Sequence, residues 1–296
     1  MELSRSYWGR LSTAAFTAFS HIIKKFSMAN LAGIVAATRR KVSECRSKMD
    51  LRDLERQAGL HIPRGFRRTL KSASESGVAV IAELKRASPS RGLIRKDFDP
   101  TKLASELEAA GAAALSVLTD EQFFQGSLEN LRIASAKTKL PCLRKDFIVD
   151  EFQIVEARAN SADAILLIVA ALSQNELITL KQKADDYELD VLCEVHDENE
   201  LQAALDAGCD LIGVNSRDLR TFKVDLGTAF RLAEAMPENV LAVAESGIES
   251  GSDIAQLRSC GYGAFLVGET LMKALKPGEA LKSLVVEASA ASAAAR

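Results

Sequence analysis

The 296-residue sequence carries one Trp and three Tyr, and its 38 Lys and Arg are balanced by 40 Asp and Glu, for a formal charge of −2. Lacking both a basic field and an aromatic stacking set, it offers no basis for a nucleic-acid surface. Its three His (His21, His61, His196) stand at no metal-ligand spacing. Cys45, Cys142, Cys193, Cys209 and Cys260 include no C-x-x-C pair and are read as reduced, mostly buried thiols. The longest apolar run, Ala164 to Leu172, falls far short of the roughly 20 residues that span a bilayer, so no membrane segment is expected. With 47% hydrophobic and 26% charged residues, what is present suits a globular protein with a large core and a small ligand.

Residues 1–27 stand apart: Arg5, Arg10, Lys24 and Lys25 face one acid, Glu2, and Leu11, Ala15, Phe19, Ile22, Ile23 and Phe26 recur at helical spacing. A transit peptide, a membrane-surface helix or a partner-binding arm competes here with a gene-model artefact or dispensable tail ahead of a true start at Met28. Residues 28–77 read as a charged helical segment, and 289–296 as an Ala/Ser-rich tail. Between them, over 78–288, short apolar runs alternate with amphipathic stretches, the pattern of repeated βα units on a parallel sheet. There are eight runs: Val78 to Leu84, Ala113 to Leu118, Pro141 to Arg144, Ala164 to Val169, Val191 to Val195, Leu211 to Asn215, Val240 to Ala244, and Ala264 to Val267. Eight even repeats predict an α/β fold of one (β/α)8 TIM barrel with extra N-terminal helices. The alternative, a doubly wound sheet, loses support because no G-x-G-x-x-G follows the first run.

Such barrels keep their chemistry at the carboxyl ends of the strands. There the sequence sets Glu83 and Lys85, Lys145 and Asp146, Glu194, Asn215 and Arg217, and Glu245 and Ser246. Glu83 and Lys85 are two apart and share a face, inward if Leu84 points to the helices. Mixed Lys and Glu around a charged substrate suit acid-base chemistry, and a ring of internal salt bridges at the barrel mouth is the competing reading. Gly247 and Gly268, after the seventh and eighth runs, suit backbone binding of phosphate, although turn glycines serve many ends. His196 reads as a loop residue near the rim. Glu121, Phe123 and Phe124 are assigned no catalytic role.

The stretches Val80 to Ser90 (VIAELKRASPS), Leu143 to Ile148 (LRKDFI), Leu166 to Val169, Glu194 to His196, Gly213 to Leu219 (GVNSRDL), Ala244 to Ile248 and Leu266 to Glu269 closely resemble the indole-3-glycerol-phosphate synthase family, from about Leu31 to Leu284. The resemblance implies a cofactor-free carboxy-lyase, without metal, of tryptophan biosynthesis. It would convert 1-(2-carboxyphenylamino)-1-deoxyribulose 5-phosphate to indole-3-glycerol phosphate, carbon dioxide and water. It further implies Lys145 as general acid for ring closure, Glu194 and Glu83 in proton transfer during dehydration, and Lys85 polarising the reacting groups. Asn215 and Arg217 would position the carboxylate and hydroxyls. Ser88, Ser246, Gly247, Gly268 and Glu269 would form the phosphate side, and Phe147 would contact substrate. Residues 31–77 would match the family's extra N-terminal helices over the barrel mouth. A cytoplasmic location is expected, or an organelle if 1–27 is a transit peptide, as is association with other tryptophan-pathway enzymes. A related isomerase, which would place a Cys or Asp pair at strands one and five, and a catalytically silent scaffold barrel are the rival readings.

Overall fold

The computed structural model describes residues 31–219 and 221–294, so the basic leader lies outside the described residues. Eight parallel strands close into a barrel: β1 (Ala79–Leu84), β2 (Ala114–Leu118), β3 (Cys142–Lys145), β4 (Ala164–Ile168), β5 (Asp190–Val195), β6 (Leu211–Asn215), β7 (Leu241–Glu245) and β8 (Ala264–Val267). β8 pairs back on β1 through Ala79↔Ala264 and Val80↔Phe265. That closure excludes the doubly wound alternative. The strands are legible as apolar runs because a parallel sheet buries both of its faces.

Helices α1 (Leu31–Lys48), α2 (Leu51–Ala58) and α3 (Phe66–Ser76) precede the barrel. Its outer layer comprises α4 (Pro100–Ala109), α5 (Leu128–Lys137), α6 (Glu151–Ala159), α7 (Gln174–Asp186), α8 (Glu198–Asp206), α9 (Gly227–Ala233), α10 (Gly251–Ser259) and α11 (Pro277–Ala294). Many begin at a side-chain cap that satisfies first-turn N–H groups: Asp99, Ser127, Asp150, Asp197, and the capping boxes Ser173/Glu176 and Ser250/Asp253. α11 continues through the Ala-rich end as far as Ala294.

Alternation along each strand separates two cores. Val80, Ala82, Leu84, Leu115, Val117 and Cys193 pack outward against helices. Ala79, Ile81, Leu143, Leu166, Leu192, Leu211, Val243 and Leu266 fill the interior. Leu84 points outward, as the inward placement of Glu83 and Lys85 requires.

The N-terminal segment divides its work between the two barrel ends, whereas the family resemblance led us to expect all of it at the mouth. α1 sends Leu31 and Ile34 to the cavity at the mouth, and Lys41 pairs there with Glu121 after β2. α3 instead closes the opposite end, where Phe66 and Leu70, fully buried, join the interior core. The linker before α3 is fastened by Asp163, at the start of β4, which accepts from the Arg64 backbone N–H at 2.7 Å and from the Cys142 N–H at 2.6 Å and pairs with the Arg64 guanidinium.

The cysteines correct one expectation. Cys193 on β5 and Cys209 before β6 form a disulfide, so not all five are free thiols. Barrel closure brings both side chains into the same outer layer, a neighbourhood that linear spacing does not reveal. Cys142 is a buried thiol, Cys45 is half-buried and Cys260 is exposed.

Candidate active site

One cavity of about 720 Å³ opens at the carboxyl ends of the strands. Every candidate residue lines it: Glu83, Lys85, Ser88, Lys145, Phe147, Glu194, Asn215, Arg217, Ser246, Gly247, Gly268 and Glu269. The sequence delivers them by a common device, because the inward series of each strand starts apolar and ends polar. β1 runs Ala79, Ile81, Glu83; β3 runs Leu143, Lys145; β5 runs Leu192, Glu194; β7 runs Val243, Glu245. Glu83, Lys145, Glu194 and Glu245 thus come from the four odd-numbered strands, the way a barrel layer is built.

Lys145 is the hub of that layer. Its Nζ stands 3.3 Å from Glu194 Oε2 and 3.7 Å from Glu245 Oε2. Burial would lower the ammonium's pKa, but Glu194, Glu245 and Glu83 outweigh burial and raise it, so Lys145 is charged at neutral pH. Asp146, next to Lys145 in the sequence, is instead held by Arg144 at 3.1 Å and by the Thr119 hydroxyl at 2.6 Å. Lys85 Nζ donates to Glu83 Oε1 at 2.6 Å. Burial raises the Glu83 pKa, yet Lys85 and Lys145 more than offset it and hold the carboxyl below its usual range.

Glu194 behaves similarly: burial is outweighed by Lys145, His196 and a hydrogen bond with the Asn215 side chain, and its pKa falls. Glu245 goes the other way, pushed up to about 8 by burial and by the charge of Glu194. One site therefore holds carboxyls with opposite proton affinities, the condition for pairing an acid with a base. From sequence, Glu245 stands on the rim without an assigned function; its proximity to Glu194 arises only on barrel closure. Gly213 makes room for it, since a Cβ there would collide with Glu245 Oε1.

At the far rim Glu269 gathers three cations: Lys273 at 2.6 Å, Arg91 at 3.0 Å and Arg217 at 3.5 Å. Ser246 and Gly247 both adopt positive φ, +64° and +83°, which turns the backbone sharply at the end of β7. Gly268 has φ −122°, and its missing Cβ leaves space for Glu83 Oε1. Apolar lining comes from Leu31, Ile34, Phe124, Phe147 and Ile168, with the Phe124 and Phe147 ring centroids 6.3 Å apart. In the sequence Phe124 stands after the second strand as either a lid contact or a loop-packing residue, and the short turn Glu121–Phe124 brings it to the cavity. Among the described residues no group of His, Cys, Asp and Glu is arranged to hold a metal ion, and no helix is long and apolar enough to cross a membrane.

The family model described as indole-3-glycerol phosphate synthase matches residues 31–284. An indole-3-glycerol phosphate synthase of Koribacter versatilis is 57% identical over 255 residues, covering 86% of this chain and 98% of that protein. One of Chlorobium luteolum is 49% identical over 245 residues, covering 82% and 93%. Among solved structures, a thiamine phosphate pyrophosphorylase of Pyrococcus furiosus superposes with a TM-score of 0.54 at 16% identity, covering 70% of this chain and 93% of that one. A mandelate oxidase gives 0.55 at 16%, covering 81% and 93%. At that identity these two speak to the fold alone.

Proposed function

This chain belongs to the indole-3-glycerol phosphate synthase family, and from that premise we propose how its rim divides the work of decarboxylating ring closure and dehydration. The observation that carries the reading is Lys145, a half-buried ammonium facing Glu194 and Glu245 inside the cavity. Ring closure joins an aryl carbon to the ribulose carbonyl carbon, and the carbonyl oxygen needs a proton as the bond forms. Lys145 donates it. The bond to the carboxylate then breaks, its electron pair restores the aromatic ring, and carbon dioxide departs. Dehydration removes the new hydroxyl as water and a proton from the adjacent carbon; Glu194 and Glu83 serve this exchange, with Glu245 as a carboxyl that holds its proton near neutrality.

Binding follows from the same lining. Phe124, Phe147, Leu31 and Ile34 enclose the aryl ring, Asn215 and Arg217 orient its carboxylate and the hydroxyls, and Lys85 polarises the reacting groups. The phosphate lies against Ser88, Ser246 and the backbone at Gly247, Gly268 and Glu269, drawing Arg91 and Lys273 from Glu269. A turnover assay with 1-(2-carboxyphenylamino)-1-deoxyribulose 5-phosphate, followed by indole fluorescence, tests the reading; absence of product would refute it. We also propose a cytoplasmic setting and association with other tryptophan-pathway enzymes, tested by fractionation and by co-purification with those enzymes.

A further inference from the structure

The reaction just described consumes one proton. The substrate's aryl carboxylate is an anion, whereas carbon dioxide, water and the indole ring are neutral, and the phosphate is unchanged. Dehydration releases one proton from carbon and takes up one with the departing hydroxyl. The proton that Lys145 gives to the carbonyl oxygen is therefore not returned by the chemistry. It must come from solvent before the next turnover, while Lys145 and Glu194 face a cavity filled by substrate or product.

A chain of groups leads out of the cavity behind Glu194. Glu194 Oε2 is 3.3 Å from Lys145 Nζ. Its other oxygen, Oε1, is 3.4 Å from His196 Nε2. His196 Nδ1 is 2.9 Å from Glu200 Oε2, which also accepts the His196 backbone N–H at 2.8 Å. Glu200 sits in the first turn of α8, beside the exposed residues Asp197, Glu198 and Asn199. Among the described residues neither His196 nor Glu200 lines the cavity.

The imidazole is fixed in a telling way. Bonded to a carboxylate oxygen, Nδ1 carries a hydrogen, which turns Nε2 toward Glu194. Nε2 is buried and has no hydrogen-bond partner among the described residues. A second proton on the ring therefore has one place to go, Glu194. The charged groups that face His196 are Glu194 at the end of β5, Glu200 on α8 and Glu245 on β7. Burial disfavours the imidazolium, but these carboxylates prevail and raise its pKa.

We propose that His196, held by Glu200, is a positioning residue that relays a solvent proton through Glu194 to recharge Lys145 after each turnover. With both nitrogens protonated, Nε2 releases its proton to Glu194, which passes one to the neutral Lys145 amine; the neutral ring then moves its remaining hydrogen from Nδ1 to Nε2 and takes a solvent proton at Nδ1 by way of Glu200. No bond to substrate is involved. The inference rests on the assignment of Lys145 as general acid.

The first turnover separates a relay from a structural role, because Lys145 enters it already charged. In His196→Gln, the single-turnover cyclisation rate should stay within about twofold of wild type, while steady-state kcat falls by about tenfold. Raising imidazole buffer at constant pH and ionic strength should restore kcat in the variant and leave wild type unchanged. Glu200→Gln, on the solvent side, should show the same pattern more weakly, and melting temperatures confirm that both variants fold. Unchanged steady-state kcat in both variants overturns the relay, and so does an equal loss in the first and later turnovers without buffer rescue. Wild-type protein that forms no indole product would instead overturn the functional reading on which the relay depends.

Discussion

Lys145 and Glu194 face each other across one intervening strand, Nζ to Oε2 at 3.3 Å, so the proposed general acid and the carboxylate proposed to recharge it are paired within the barrel wall. The geometry also permits a purely structural role, in which Lys145 neutralises Glu194 and Glu245. The two roles diverge on substitution. Lys145→Ala is expected to lower kcat by at least about two orders of magnitude, with a smaller effect on substrate affinity. Lys145→Arg should not rescue it, since a guanidinium gives up no proton at neutral pH and has a different shape. Single-turnover cyclisation measured beside melting temperature decides, and a stable Ala variant with intact cyclisation removes Lys145 from the mechanism.

Gly268 carries a second expectation, changed by the structure. From sequence its use is to let a phosphate approach the backbone, so a larger residue should raise KM. Its φ of −122° is open to any residue, and what a Cβ would meet is Glu83 Oε1. Gly268→Ala should therefore displace Glu83 and lower kcat as well as raise KM. A change confined to KM would show that only phosphate uses this space.

Much of this architecture is legible in the amino-acid sequence. Strand bounds agree to within a residue or two because burial on both faces leaves an unmistakable apolar run, and the rim charges stand out at the carboxyl ends of those runs. Less visible is whatever depends on closure. α3 reads as a charged surface helix (FRRTLKSASES), and only Phe66 and Leu70 betray that it plugs the barrel floor. α10 and α11 do not stand out, since glycine and small residues blur their periodicity. Glu245 is plain at its strand end, but its proton affinity comes from Glu194, 51 residues earlier in the chain.

The barrel floor supplies a third prediction. Asp163 is fully buried and holds the α3 linker through Arg64. Burial alone would raise its pKa, but hydrogen bonds from His61 and Arg64, with the Arg64 charge, prevail and lower it. A depressed folded pKa gives stability that is present above the unfolded value and is lost as pH falls through the folded one. Asp163→Asn leaves Arg64 without its counter-charge, a loss of about 3–5 kcal/mol, or roughly 10 °C in Tm for a domain of this size. The deficit should be full at pH 7 and shrink below about pH 4. The folded variant should keep wild-type kcat, because the substitution lies at the end away from the cavity; equal melting temperatures at pH 7 would refute the anchoring role.

Glu245 gives the sharpest pH dependence. Glu194 takes the nearer place beside Lys145, 3.3 Å against 3.7 Å, and Glu245 Oε1 is buried without a hydrogen-bond partner among the described residues. Its carboxyl is accordingly pushed from 4.5 up to about 8 by burial first and by Glu194 second. In the unfolded chain the group ionises near 4.5, so between these values the folded state binds the extra proton. Its contribution to stability is fully present below the unfolded pKa and is lost as pH rises through about 8. Glu245→Gln keeps the shape of the protonated carboxyl and cannot ionise. Its melting temperature should gain on wild type progressively from about pH 4.5 to 8, then run parallel above. Activity should move the opposite way: if Glu245 supplies a proton, kcat/KM of wild type has a basic limb near 8 that Gln removes while lowering the plateau. Melting curves with the same pH slope in both proteins would show that Glu245 ionises normally, and an unchanged kcat/KM profile would leave it a structural carboxyl beside Lys145.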